Sequence, residues 1–173
     1  VYKGNNNPVS FSVKAGEILG VAGLVGSGRT ETMRAIFGAD PKKSGKVFLD
    51  GKELVIHQPK DAVEGGICLL TEDRKGQGLI LDMTCEVNTS LANLAGVSRS
   101  GLMEFRKEAE AAARYVDELA IKTPSTKKWV RFLSGGNQQK MVLAKWLFRN
   151  CRVLTFDEPT RGIDVGAKYE IYM

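Results

Sequence analysis

Val9, Phe11 and Val13 alternate with polar residues ahead of the turn-forming Lys14-Ala15-Gly16, and the mostly apolar run 18–22 that follows predicts a buried strand. A glycine-rich loop comes next, and Met33, Ile36 and Phe37 then recur at helical spacing until Gly38, a C-terminal cap residue. The unit is therefore strand, glycine loop, helix. Residues 46–54 alternate around Asp50-Gly51, a hairpin signal, and 59–65, opened by Pro59, predicts a short helix feeding a strand over 67–71. The polar stretch 72–78 reads as a loop. Phe105, Ala109, Ala112, Val116 and Leu119 follow one another at intervals of four and three, which predicts an amphipathic helix over 104–120 with that face on the core. After Thr123-Pro124 and a polar connector, a helix opens beyond Leu133 that is apolar on most sides (Met141, Val142, Ala144, Trp146) and so should be buried. The short apolar strand 153–156 ends in Asp157-Glu158-Pro159, followed by a loop over 160–166 and a helix from Ala167. No internal repeat or low-complexity tract interrupts this order.

With 173 residues there is room for one domain with a real core. Hydrophobic residues at 43% and charged residues at 26% exclude disordered, collagen-like and disulfide-dense classes. The excess of 25 lysines and arginines over 20 acidic residues, a net +5, suits nucleotides, polyphosphates or an anionic surface without demanding one. Cys68, Cys85 and Cys151 are odd in number and form no C-x-x-C pair, so the expectation is reduced thiols and no zinc site. No run reaches the roughly 18 apolar residues of a membrane span, and any membrane role is expected to be peripheral. His57 is the sole histidine, which leaves no histidine cluster for metal or nucleophile. Lys127-Lys128-Trp129-Val130-Arg131 reads as a surface connector, and no nucleic-acid partner is expected.

The chemistry concentrates in three places. Gly23-Leu24-Val25-Gly26-Ser27-Gly28-Arg29-Thr30 has the spacing of a phosphate-binding P-loop with arginine in place of lysine. Glycines let successive N–H groups point into one concavity, the following helix aims its positive end there, and the Thr30 hydroxyl can ligate Mg²⁺. Arg29 is a departure, because a planar guanidinium prefers forked contacts where lysine offers a compact charge. Asp157, at the carboxyl end of an apolar strand, stands where open α/β sheets bind ligands and can hold Mg²⁺. Glu158 beside it can act as general base on an attacking water. In the third place, Leu133-Ser134-Gly135-Gly136-Asn137-Gln138 opens a helix, so the Ser134 hydroxyl, N–H groups and helix dipole can meet an anion.

That last stretch, taken with the other two, closely resembles ATP-binding cassette (ABC) ATPases, whose signature begins Leu-Ser-Gly-Gly. The finer resemblance is to the second cassette of double-cassette ATPases in bacterial sugar importers of the ribose, galactose and arabinose type. It rests on residues 23–31, on Thr71-Glu72-Asp73-Arg74-Lys75, on 133–140, and on the long match 157–168. The resemblance implies an α/β P-loop NTPase fold: a mixed sheet core, N-terminal antiparallel β hairpins, and a helical subdomain. It implies ATP and Mg²⁺ as ligands, with Gly23 to Thr30 and Glu72, the positional equivalent of the family's Q-loop glutamine, at the nucleotide. Thr30 and Asp157 would hold the metal, and Glu158 would be catalytic. Two cassettes close head to tail in this family, so Leu133, Ser134, Gly135, Gly136, Asn137 and Gln138 would serve the partner's site, and Gly162, Ile163 and Asp164 would form the D-loop between sites. Tyr2 is the candidate for adenine stacking.

The resemblance further implies one cassette over 1–173, with 1–83 and 134–173 as nucleotide-binding core and 84–133 as helical subdomain. Family cassettes continue through further strands, so a fragment is expected. The implied partners are a second cassette, membrane permease subunits and, indirectly, a periplasmic sugar-binding protein, at the cytoplasmic face of the inner membrane. The leading function is an ATPase coupling MgATP hydrolysis to carbohydrate import. The alternatives are a catalytically degenerate regulatory cassette and a soluble ABC ATPase outside transport.

Overall fold

Gly38 ends the first helix, as its place after the Met33-Ile36-Phe37 stripe predicts. Helix α1 spans Arg29–Phe37, and Gly38 takes the left-handed conformation (φ 77°) while the N–H groups of Gly38 and Ala39 return to the carbonyls of Ala35 and Arg34. A side chain at Gly38 is excluded twice over, by that φ and because a Cβ would stand 2.8 Å from the Gln58 carbonyl carbon. The computed structural model describes residues 8–24 and 26–172, apart from the Tyr172 side chain. It divides into two compact units, residues 1–69 and 70–173.

In the first unit, β1 (Val47–Leu49) and β2 (Lys52–Leu54) pair antiparallel, with Val47 opposite Leu54. Asp50 (φ 50°) and Gly51 (φ 76°) both take positive φ, as a two-residue hairpin turn requires. Helix α2 (Pro59–Glu64) opens with a capping box between Gln58 and Asp61. Strand β3 (Ile67–Leu70) is buried at every position. The strand expected over 18–22 does not form: this stretch has no ladder partner, and Ile18 is 98% exposed. Residues 9–13 also stay outside any strand, so among the described residues the N-terminal hairpins reduce to the one formed by β1 and β2. An apolar run supplies side chains worth burying, whereas a strand exists only once a neighbour takes its N–H and C=O groups. The turn at 14–17 forms as expected, with the Glu17 N–H on the Lys14 carbonyl at 3.1 Å.

In the second unit, helix α3 (Cys85–Ser90) is capped by the Thr84 hydroxyl, which accepts the Val87 N–H. Strands β4 (Ser98–Arg99) and β5 (Leu102–Met103) form a hairpin around Ser100 (φ 50°) and Gly101 (φ 81°), within the segment expected to be helical. Ser100-Gly101 was the turn signal for it. Helix α4 (Phe105–Glu118) buries Glu108, Ala112 and Tyr115, which shifts the expected face and leaves Phe105 74% exposed. The shift has a polar cause: the Ser90 hydroxyl donates to the buried Glu108 carboxylate, anchoring that side of α4 to α3. Helix α5 (Gly135–Arg149) is buried on most sides as predicted, and Phe148 meets Tyr115 of α4 edge to face at 6.3 Å between ring centres. Strand β6 (Val153–Phe156) leads to the loop before α6 (Val165–Tyr172). No helix among the described residues is long and apolar enough to cross a membrane. Cys85 is a free, buried cysteine at the start of α3.

Lys145 of α5 is a buried cation. Its Nζ donates to the Gly78 carbonyl at 2.6 Å and lies 4.6 Å from the Trp146 ring centre, and burial pulls its pKa from 10.5 down to about 8. The folded state therefore holds this proton less tightly than the unfolded chain, so the cost of burying the charge is fully present below about pH 8 and disappears as pH rises towards 10.5. Replacing Lys145 with Met should remove a rise of up to about 3 kcal/mol in unfolding free energy between those limits. Denaturant titrations across that range check it, and parallel wild-type and variant curves would refute it.

Candidate functional site

Two glycines shape the loop before α1. Gly26 (φ 79°) and Gly28 (φ 89°) both hold the left-handed conformation, and a Cβ at Gly23 would stand 2.5 Å from the Ser27 hydroxyl. The loop curls tightly, closed by the Ser27 N–H on the Leu24 carbonyl at 3.0 Å. Gly28 is the residue before α1 and makes no side-chain cap, and a helix start of this kind presents its positive end to an anion. Arg29 and Thr30 lie in that first turn, half-buried. This local shape fits a phosphate cradle. Val25 and Tyr2 lie outside the described residues.

The other candidates belong to the second unit. Asp157, the residue after β6, is buried, and its N–H donates to the Leu70 carbonyl at 2.9 Å. Glu158 next to it is exposed and takes φ 42°, a strained value for a residue with a side chain. Its carbonyl accepts the Arg161 N–H at 3.0 Å, and its carboxylate lies 3.9 Å from the Arg161 guanidinium. The loop thus folds back on itself directly after the two carboxylates. Asp164 ends it as the N-cap of α6, accepting the Ala167 N–H at 2.9 Å, and that bond holds its carboxyl below the usual carboxylate range. Gly162 takes φ 66° in the same loop, and Ile163 is half-buried.

Ser134 caps α5. Its Oγ accepts the Asn137 N–H at 3.4 Å and the Asn137 side-chain amide at 2.8 Å. The Asn137 orientation follows from its other bond: Oδ1 accepts the Lys122 N–H at 2.9 Å, so Nδ2 must face Ser134. With Oγ engaged as an acceptor, the Ser134 hydroxyl proton can donate outward. Gln138 does not share this surface. It is buried with Nε2 donating to the Val130 carbonyl at 3.2 Å, and Leu133 is buried too. Of the six predicted residues, Ser134, Gly135 and Asn137 reach the surface, while Gly136 packs against α6.

The stretch 72–78 differs from the expected irregular loop. Arg74–Gly78 forms a wide helical turn with the Asp73 carboxylate accepting the Gly76 N–H at 2.9 Å. Glu72, expected at the nucleotide, pairs with the Arg161 guanidinium. Arg74 donates to the carbonyls of Arg161 at 3.0 Å and Gly162 at 3.3 Å. Sequence reading missed Arg74 and Arg161 as structural partners, since nothing local marks a bond between residues 87 apart. Among the described residues no cluster of three or more histidine, cysteine or acidic side chains forms a metal site. Mg²⁺ does not need one, because it keeps several waters and takes one or two carboxylates plus substrate phosphates.

A chain from Agrobacterium fabrum named a putative ribose/galactose/methyl galactoside import ATP-binding protein is 61% identical over 165 residues, covering 95% of this chain and 33% of that protein. A ribose import ATP-binding protein from Geobacillus kaustophilus is 53% identical over 170 residues, covering 98% of this chain and 34% of that protein. The chain thus spans about a third of the length of these curated relatives. A dimeric ATP-binding cassette in a post-hydrolysis state, bound to ADP and Pi, superposes with a TM-score of 0.76 at 21% identity, over 93% of this chain and 68% of that one. That likeness establishes the fold, an α/β P-loop cassette. The family described as ABC transporter matches residues 6–161, a span that contains all three glycine and acidic motifs, and the chain belongs to that family.

Proposed function

We propose that this chain is one ATP-binding cassette, the second, of a bacterial sugar importer, and that it couples MgATP binding and hydrolysis to carbohydrate uptake. The single observation that carries the reading is the paired left-handed glycines at the uncapped start of α1, a backbone shape suited to phosphate oxygens. Gly23 to Gly28 would cradle the phosphates and Arg29 would add a forked cationic contact. Thr30 and Asp157 would hold Mg²⁺, which supplies charge neutralisation at the transferring phosphoryl group. Glu158 would take the proton of the attacking water as its oxygen bonds to phosphorus and the bridging oxygen departs with the diphosphate.

Ser134 and the start of α5 would address the nucleotide of a second cassette, docked head to tail. Residues 84–133 would form a helical subdomain and the remainder the nucleotide-binding core. The same reading places the protein at the cytoplasmic face of the membrane, against permease subunits, and indirectly in the service of a periplasmic sugar-binding protein. The names of the relatives, which give ribose, galactose and methyl galactoside, support sugar import.

Isothermal titration of the full-length protein with MgATP tests the reading against Gly28→Asp. A carboxylate at that turn stands within a few ångströms of the phosphates, and repulsion at such range weakens affinity about tenfold or more. Equal affinity in the two proteins would refute phosphate binding at this loop. Binding without turnover in the wild type would favour the regulatory reading.

A further inference from the structure

Arg74 occupies an unfavourable place for a cation. Its guanidinium lies against the start of α5, where a Cβ on Gly135 would stand 2.8 Å from Nη2, and a helix N-terminus carries a partial positive charge. Its Nε is buried without a hydrogen-bond partner. Both features cost stability. What holds the side chain there is one loop: Nη1 donates to the Arg161 carbonyl and Nη2 to the Gly162 carbonyl, while Glu72 pairs with the Arg161 side chain. Glu72 and Arg74, two positions apart in one segment, thus grip side chain and main chain of the same stretch, three and four residues beyond Glu158.

We infer that Arg74 is a positioning residue: it latches the loop 160–162 against the start of α5 and so fixes the main chain that follows Glu158. It rests on the proposed ATPase reading for its consequence in turnover, but not for the latch itself. The guanidinium suits the task because its planar fork meets two successive carbonyls at once, whereas an ammonium is a single point charge that satisfies one at a time. Glu72 completes the latch by fixing the Arg161 side chain, which also lies beside the Glu158 carboxylate at 3.9 Å. Movement of the segment 72–78 would in this way reach the loop after Glu158 without passing through the phosphate cradle.

The test compares full-length wild type, Arg74→Gln and Arg74→Lys by two measurements. Hydrogen exchange without nucleotide should show amides over 158–164 exchanging about tenfold faster in Arg74→Gln, with other segments unchanged. Arg74→Lys should fall between. Steady-state ATPase should show kcat reduced about tenfold in Arg74→Gln with KM for MgATP within about twofold of wild type, and partial recovery in Arg74→Lys. Unchanged exchange over 158–164 would overturn the latch, as would faster exchange throughout the chain, which marks a merely structural residue. Faster local exchange with unaltered kcat, or a rise in KM alone, would overturn the positioning role. A wild type without turnover would refute the proposed function while the exchange arm still decides the latch.

Discussion

If the proposed function holds, Glu158→Gln should lower ATP turnover at this cassette by about 10² to 10⁴, the range a positioned general base contributes, and leave nucleotide bound. The amide keeps the size of the carboxylate and loses its ability to take a proton. The backbone argues for a functional position as well: φ 42° at a residue with a side chain costs on the order of 1–3 kcal/mol, and such strain persists where the surroundings over-determine it. Here the surroundings are the Arg161 N–H on the Glu158 carbonyl and the Leu70 carbonyl on the Asp157 N–H. The measurement is single-turnover hydrolysis in the full-length protein with its other cassette disabled, alongside titration of MgATP. Turnover within a few-fold of wild type would remove Glu158 from the chemistry.

Gly136→Ala destabilises the second unit by about 1–3 kcal/mol, the usual cost of forcing a carbon into a closed contact. An added Cβ would stand 2.5 Å from the Ala167 Cβ, and neither carbon has a flexible end that could swing away. Relief requires α5 and α6 to separate, which strains the Lys140–Glu170 ion pair joining them at 2.7 Å and disturbs the Asp164 cap of α6. Ala167→Gly should restore the stability of Gly136→Ala, because it removes the second of the two colliding carbons. Denaturant unfolding of both single variants and the double variant gives the coupling directly. Additive losses would show that the contact does not set the requirement for glycine at this position.

The requirement for glycine at Gly136 is thus met within this chain, by α6, while Gly135 makes room for Arg74. A signature read from sequence as a single surface separates into inward and outward parts. Ser134 and Asn137 keep an outward hydrogen-bonding arrangement, whereas Gln138 turns inward to the Val130 carbonyl. The sequence could not assign these directions, since successive residues at a helix start project to different sides and only the packing neighbours decide which side is covered.

Local chemistry was legible without the fold. The left-handed glycines Gly26, Gly28 and Gly38, the Asp50-Gly51 hairpin, the Ser134 cap and the buried α5 all follow from φ preferences, capping groups and apolar spacing, which act within a few residues. Tertiary structure decided what needed a distant partner. The run 18–22 has strand composition but no ladder, the core face of α4 was set by a Ser90–Glu108 bond, and Glu72 was drawn to Arg161 across 89 residues of chain. The physical reason is common to all three: a side chain or backbone group fixes what it can bond to through its own chemistry, whereas which partner arrives depends on chain closure over distances that spacing along the sequence does not report.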